Sequence, residues 1–276
     1  MTDLPLTRHL DLDLQHDWLA VWLNRPDARN ALSAEMAAEL RAVAAALRDR
    51  PDIRGVTFRG RGSTFCAGGD LKGFRALMKD GVDHTQVAAF SREGGLLFHE
   101  VNELPQVTLM LVEGAAMAGG LGLVCAGDVV AVTQDAQFAL TETMLGIPPA
   151  QIAPLIVQRI GLSAARRIML TGARFNGVGA QALGIADHLA ADAAGLETYE
   201  AEIRAAVRRC APNANAVTKQ LLLAAPSLGR EAMLDAAADG FAHCLLGDEG
   251  QEGVRAFLEK RKPVWAVTPA PAEGMA

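Results

Sequence analysis

Two glycine-rich segments are the first candidates for a chemical role. FCAGGD (residues 65–70) and GAAMAGG (residues 114–120) each follow a predicted strand and each lead into a predicted helix. Glycine at such a turn lets the backbone approach a ligand, and the N–H groups of a first helical turn point outward with the helix dipole behind them. Two such N–H groups that converge on one oxygen make an oxyanion hole. Either segment alone would favour a purely structural tight turn, whereas the two at this spacing favour an oxyanion site.

Glu142 is a carboxylate whose surroundings would suit proton transfer. It lies in an apolar stretch between Phe138 and Leu145, where burial would raise its pKa toward a value useful for proton transfer. The alternative is a carboxylate that only starts a helical turn. No metal site is predicted, because the six histidines form no metal-like pair and the four cysteines have neither zinc nor disulfide spacing. We expect these cysteines to be buried or partly buried free thiols.

Composition excludes several classes of protein. The chain has 276 residues, half of them hydrophobic, and a formal net charge of -6, which indicates a globular protein rather than a nucleic-acid-binding one. No stretch of roughly 20 apolar residues is available for a membrane span. The first residues contain acidic side chains and no apolar core of a signal peptide, so a cytoplasmic protein with no nucleic-acid or membrane partner is expected.

Strands and helices alternate along the first two thirds of the chain. The predicted strands cover residues 10–24 (two strands), 53–58, 106–112, 129–133 and 137–140. Apolar residues at helical spacing predict a helix from Ala34 to about Arg48, with Ser33 as its N-cap, and a mostly helical segment over 73–103. Repeated strand, strand, helix units indicate an α/β fold.

After about residue 195 the pattern becomes purely helical. We therefore predict an α/β core over residues 1–195 and a helical region over residues 196–276, with helices at 200–210, 213–225, 230–246 and 249–261. This helical region is apolar enough to require cover, either from the core or from a second subunit.

Five segments resemble the crotonase (enoyl-CoA hydratase/isomerase) family, in order and across nearly the whole chain. They are NRPDARNALS, FCAGGDLKG, VEGAAMAGGLGL, AQFALTETMLGIPPA and FLEKRKPVW. The most specific signal is FCAGGDLKG followed by the G-G-x-G segment. The resemblance implies an α/β crotonase-like spiral of ββα units with a C-terminal helical trimerisation region. It also implies a homotrimer or a dimer of trimers and acyl-CoA substrates, with coenzyme A present as part of the thioester rather than as a permanently bound cofactor.

The resemblance also implies roles for individual residues. The oxyanion donors would be the N–H groups of Gly69 and Gly119. The residues expected around coenzyme A are Ala31, Ala67, Asp70 and Leu71, with Phe257 and Lys260 reaching from a neighbouring subunit. Arg29 and Lys72 are candidate phosphate partners because of their charge, and each could equally be a solvated side chain.

The number of glutamates at the site indicates which reaction of the family to expect. Typical hydratases of the family use two glutamates; one position corresponds to Glu142, and the other corresponds to Gly122, three residues after Gly119 and on the same helix face. Glycine there is expected to leave space or room for water. The segments around these positions resemble the hydratases of branched glutaconyl-CoA thioesters, namely the isohexenylglutaconyl-CoA and methylglutaconyl-CoA hydratases of terpene and leucine breakdown.

The sequence therefore predicts a lyase that adds water to a branched, glutaconyl-type enoyl-CoA, with Glu142 serving both proton steps. Gln151 is suggested as a group that positions water, with a structural loop amide as the alternative. Two other functions stay open at this point. One is an enoyl-CoA double-bond isomerase, which needs only one carboxylate. The other is a non-catalytic acyl-CoA-binding homologue, against which Glu142 and both glycines argue.

Overall fold

The computed structural model describes residues 3–70, 73, 75, 78 and 81–266. Contacts divide the chain into two units, Met1–Ala201 and Glu202–Ala276. The division falls a few residues after the predicted boundary at 195. It lies inside the helix Ala193–Arg208, so no change of element marks it.

The first unit is built on a mixed sheet. Within the described residues its strands run in the order β1-β2-β3-β4-β6-β9. Their bounds are Leu10–Gln15 (β1), Trp18–Leu23 (β2), Gly55–Gly60 (β3), Val107–Val112 (β4), Val129–Thr133 (β6) and His188–Ala190 (β9). Among these six described strands, only the β1–β2 pair is antiparallel. The inner strands β3 and β4 are almost wholly buried, as parallel strands covered on both faces are, whereas the edge strand β1 alternates Leu with polar residues.

A second, smaller sheet lies at the site described below. It contains β5 (Ala115–Met117), β7 (Gln137–Ala139) and β8 (Arg174–Asn176), with β5 and β7 parallel and β7 and β8 antiparallel. These strands have three residues each, and the sequence predicted only β7.

The helices of the first unit pack their apolar faces on these sheets. They are α1 (Ala34–Arg48), α2 (His84–Asn102), α3 (Gly119–Cys125), α4 (Ala153–Thr171), α5 (Gly177–Ala182) and α6 (Ala193–Arg208), the last of which continues into the second unit. The α1 bounds match the prediction, and Ser33 caps the helix by accepting from the Met36 N–H. The predicted helix over 73–103 is confirmed for residues 84–102; most of residues 71–80 lie outside the described residues.

The second unit is helical as far as it is described. After α6 it contains α7 (Pro212–Ala224), α8 (Arg230–Leu246), α9 (Asp248–Leu258) and a short 3-10 turn at Val264–Ala266. In residues 3–70 and 81–266, together with 73, 75 and 78, no helix is long and apolar enough to cross a membrane.

Candidate active site

Three parallel segments lie side by side and deliver the candidate residues to one place. Cys66 forms a parallel bridge with Ala116 of β5, and β5 pairs in parallel with β7 through Met117 and Ala139. Neighbouring strands are about 4.8 Å apart. Because the segments run in the same direction, the residues that follow their carboxyl ends share one edge: Gly69, Gly119 and Glu142.

The two candidate oxyanion glycines approach each other closely. A methyl group placed on Gly119 would lie 3.7 Å from the backbone N of Gly69, and one placed on Gly68 would lie 3.5 Å from the backbone N of Gly119. Among the described residues, no backbone carbonyl accepts a hydrogen bond from the N–H of Gly69 or of Gly119. Two neighbouring donors are therefore available to a ligand oxygen.

Backbone strain marks the residue before Gly119. Ala118 has φ 49° and ψ -123°, a conformation that costs a non-glycine residue about 1–3 kcal/mol. It is held there by its N–H, which donates to the Ala139 carbonyl at 2.8 Å, and by its carbonyl, which accepts from Leu121 and Gly122. This turn starts α3, whose first residue is Gly119.

The loop over residues 25–32 supports the turn that contains Gly69. Leu32 forms a parallel bridge with Gly69 and exchanges hydrogen bonds with Gly68 and Asp70 on either side. Asn30 is fully buried with φ 53°, and its side-chain amide donates to the carbonyls of Arg61 and Thr64. These bonds join the 25–32 loop to the glycine-rich segment. The sequence analysis missed Asn30, although asparagine is among the residues that best tolerate positive φ.

The predicted coenzyme A residues of the core belong to these same loops. The Ala67 N–H donates to the carbonyl of Arg29, whose side chain is exposed. Arg25 donates to the Ala31 carbonyl at 2.6 Å and to the Asp70 carboxylate at 3.3 Å, so the Asp70 side chain takes part in an ion pair. Arg29, Ala31, Ala67 and Asp70 are thus brought together beside Gly69.

Four further predicted coenzyme A residues remain. Leu71 and Lys72 lie outside the described residues. Phe257 is near the end of α9 and 82% exposed, and Lys260 follows that helix with φ 53°. Both belong to the second unit, and their predicted contact with the coenzyme A of a neighbouring subunit stays a prediction.

Glu142 has the electrostatic character of an acid/base group. It is the first residue of a 3-10 turn, Glu142–Leu145, and burial raises the pKa of its carboxyl above the usual 4.5. Its Oε2 is buried without a hydrogen-bond partner, and among the described residues it is the one carboxylate oxygen in that condition. An unpartnered buried oxygen is costly unless a ligand uses it.

The expectation of open space at Gly122 is wrong. Gly122 is buried, and a methyl group there would overlap the Ile152 Cγ2 and lie 2.7 Å from the Ile152 Cβ. Ile152 comes from the turn before α4, and no sequence pattern connected it to Gly122. An aliphatic side chain therefore fills the side of α3 at which the family resemblance would place a second glutamate.

Gln151 bridges two parts of the fold. Its Nε2 donates to Ser91 Oγ at 3.1 Å, and its side chain packs against Gly95 of α2. This is the structural alternative that the sequence left open for Gln151. Phe98, one turn further along α2, and Leu32 approach Gly119 to within ordinary contact distance of a methyl group placed there. These two residues form apolar surroundings for the pair of N–H groups and were also missed.

The cysteines are free thiols, as predicted. Burial raises the pKa of Cys66 and of Cys125 to about 12, so both stay protonated at neutral pH. Cys66 Sγ accepts from the Gly68 N–H at 3.5 Å and supports the turn before Gly69. The expectation of burial was wrong for Cys210, which is exposed two residues after the end of α6.

Comparison with known proteins agrees with this geometry. A family model described as enoyl-CoA hydratase/isomerase matches residues 15–268. The solved structure of Pseudomonas aeruginosa AtuE is 48% identical with a TM-score of 0.90, and the match covers 94% of this chain and 100% of that one. An enoyl-CoA hydratase/isomerase from Marinobacter aquaeolei is 40% identical with a TM-score of 0.89, over 94% of this chain and 99% of its own.

A Thermus thermophilus protein assigned as an enoyl-CoA hydratase is 36% identical over 243 residues, which is 88% of this chain and 95% of the relative. Together, the match over most of the chain, the fold and the paired glycines confirm the resemblance seen in the sequence. The chain belongs to the enoyl-CoA hydratase/isomerase (crotonase) family, and it is an enzyme of that family with coenzyme A thioesters as the implied substrates.

Proposed function

We propose that this enzyme adds water to an α,β-unsaturated, branched, glutaconyl-type coenzyme A thioester. The observation that carries the proposal is the buried, unpartnered Oε2 of Glu142 beside two strand ends that present the N–H groups of Gly69 and Gly119. The glutaconyl class is supported by the sequence segments around Gly119 and Glu142 and by glycine at position 122.

In this reaction the N–H groups of Gly69 and Gly119 bind the thioester oxygen and stabilise the negative charge that develops on it. Glu142 takes a proton from water as the water oxygen bonds to the β-carbon. It then delivers a proton to the α-carbon, which completes the addition of one water. The raised pKa of Glu142 suits both steps, because the carboxyl must accept and release a proton near neutral pH.

The loops beside Gly69 are the proposed location of the coenzyme A moiety. Ala31 and Ala67 supply backbone close to the oxyanion turn, and the exposed Arg29 side chain can reach a phosphate. Asp70, the fourth proposed coenzyme A residue of these loops, pairs with Arg25 and so joins the two loops to each other. The proposed neighbours from a second subunit are Phe257 and Lys260.

A double-bond isomerase is the second candidate. The observation in its favour is Ile152 at the place of the second glutamate, since an isomerase can move a proton between two carbons with Glu142 alone. The two reactions differ in their use of water, and that difference separates them.

The test is a turnover screen over straight, branched and carboxylated enoyl-CoA thioesters, analysed by mass spectrometry in isotopically labelled water. Hydration of a branched glutaconyl-type thioester with uptake of labelled oxygen is the expected result. A shifted double bond without oxygen uptake would establish isomerisation instead. A Glu142→Gln control should abolish either product, which guards against a contaminating hydratase.

A further inference from the structure

Gly122 and Ile152 form a close contact between α3 and the start of α4. A methyl group at Gly122 would overlap Ile152 Cγ2 and lie 2.7 Å from its Cβ, whereas carbon atoms in contact are normally about 3.5–4.0 Å apart. Both atoms belong to the inner, branched part of the side chain, which rotates little because isoleucine is stiff at χ1. No larger side chain fits at position 122 unless the backbone at residue 152 moves.

The backbone at residue 152 is itself held in place. Gln151, the preceding residue, donates a hydrogen bond to Ser91 of α2. Its amide also packs directly against Gly95, because a methyl group placed on Gly95 would lie 2.8 Å from the Gln151 Cδ. Ile152 is only 3% exposed and is followed by the first residues of α4. The turn is therefore secured against α2 on one side and packs on α3 on the other.

We infer that Ile152 is the specificity-determining residue that restricts this active site to a single carboxylate. Its side chain occupies the volume that an acid at position 122 would need, and Gln151 keeps it there. The inference rests on the proposed function, in which Glu142 performs both proton transfers. It implies that glycine at 122 and isoleucine at 152 act as a pair, so that a second glutamate requires both positions to change.

The steric part of the inference is tested without any substrate. Thermal unfolding is measured at one protein concentration for wild type, Gly122→Ala, Ile152→Ala and the double variant. Alanine normally stabilises a helix relative to glycine, so a Tm loss of about 5 °C in Gly122→Ala would reveal the overlap. The Tm of the double variant should not be lower than that of Ile152→Ala alone, because Ile152→Ala removes the side chain that the new methyl group would overlap. Additive losses, or a Gly122→Ala variant at least as stable as wild type, would overturn the inference.

If Gly122→Ala does not fold, the same comparison is made on the yield of folded protein. Recovery of folded protein on adding Ile152→Ala supports the contact, and equal failure with and without it overturns it.

The functional part compares Gly122→Glu with Gly122→Glu/Ile152→Ala on a small straight-chain enoyl-CoA. The double variant should exceed the single variant by about tenfold or more in turnover, because only there can the new carboxylate reach a usable position. Ile156→Ala is the matched control, since Ile156 is a buried isoleucine one turn further along α4. The assignment would be overturned if adding Ile156→Ala to Gly122→Glu raised turnover as much as adding Ile152→Ala does. It would also be overturned if adding Ile152→Ala raised turnover not at all.

Failure of the proposed function has a different signature. In that case wild type would turn over no enoyl-CoA thioester, while the thermal comparison at residues 122 and 152 would still decide the steric inference.

Discussion

Glu142 combines a cost to stability with a chemical use. Its carboxyl is partly buried, and the Oε2 atom has no hydrogen-bond partner to offset the loss of water. The same burial raises the pKa of the carboxyl. Two other carboxylates, one beside Gly69 and one on α2, have charged partners: Asp70 pairs with Arg25, and Glu93 pairs with Arg41 at 3.0 Å with a side chain 61% exposed. Of these three, Glu142 alone has the surroundings of a proton-transfer group.

Replacing Glu142 should remove most of the activity. Glu142→Gln keeps the size of the side chain but cannot exchange a proton at neutral pH, so kcat should fall by about 10²–10⁴-fold. KM should change little, because the proposed oxyanion and coenzyme A contacts remain. Steady-state kinetics check this, with Glu93→Gln as a control that retains wild-type turnover. Near-normal kcat in Glu142→Gln would mean that another group moves the protons.

The substitution Glu142→Gln, which should lower activity, should raise the stability of the folded protein at neutral pH. A carboxyl whose pKa is raised in the folded state contributes stability below its unfolded pKa and loses that contribution as the pH rises through the folded value. Glu142→Gln should therefore have a higher Tm than wild type at neutral pH, and the gain should shrink as the pH falls through the raised pKa of Glu142 toward about 4.5. Tm measured across this pH range checks the sign; a variant less stable than wild type at neutral pH would contradict it.

The N–H of Gly119 can be removed by one change. Gly119→Pro should lower transition-state stabilisation by about 2.7–4 kcal/mol, the usual effect of losing one oxyanion donor. Proline also restricts the strained Ala118 before it, so circular dichroism must show that the variant is folded. Unchanged kcat/KM in a folded variant would exclude Gly119 from the oxyanion site.

At the scale of elements, short parallel segments position the candidate site residues. Three strands or bridges, each of few residues, end beside one another and carry Gly69, Gly119 and Glu142 on the residues that follow. Such short strands owe their stability to the surrounding core rather than to their own pairing. The helix α2 covers this edge through Phe98 and contacts Gln151 through Ser91 and Gly95.

Adjacent glycines in α2 should respond oppositely to the same substitution. A methyl at Gly94 would meet no atom within 4 Å, whereas one at Gly95 would overlap the Gln151 Oε1. Gly94→Ala should raise the free energy of unfolding by up to about 1 kcal/mol through helix propensity, and Gly95→Ala should lower it. Denaturant unfolding of the two variants provides the measurement, and shifts of the same sign would contradict the assigned packing.

At the scale of the molecule, the second unit exposes many large apolar side chains. They are Leu222, Leu228, Leu234, Phe241, Leu245, Leu246, Val254, Phe257, Leu258 and Val264. Apolar exposure of this extent on one helical unit is typical of a subunit interface. It is consistent with the predicted role of these helices in oligomerisation.

We therefore expect the protein to be a trimer or a dimer of trimers at micromolar concentration. Phe241→Asp should reduce the molar mass in light scattering, because a charge in an apolar interface is not compensated. Leu6→Asp is the control, since Leu6 is a fully exposed leucine of the first unit. A monomeric wild-type protein would contradict the prediction.

The sequence by itself determined the elements and motifs that depend on local rules. The bounds of α1, β6 and α8 follow from capping, apolar periodicity and flanking turns, and they agree with the structure. The glycine-rich turns are visible in the sequence itself, whereas the roles of Gly69, Gly119 and Glu142 were predicted from the resemblance to the crotonase family. The α/β class likewise followed from the alternation of strands and helices.

Only the tertiary structure decided what surrounds those residues. Strands β5, β8 and β9 have three residues each, so the sequence offers little periodicity to mark them, and they are defined by their pairing with other strands. Ile152 meets Gly122 from a turn 30 positions later in the chain, and Asn30 joins loops that are distant in sequence. Packing contacts of this kind depend on where whole elements are placed in space, and local propensity carries no information about that placement.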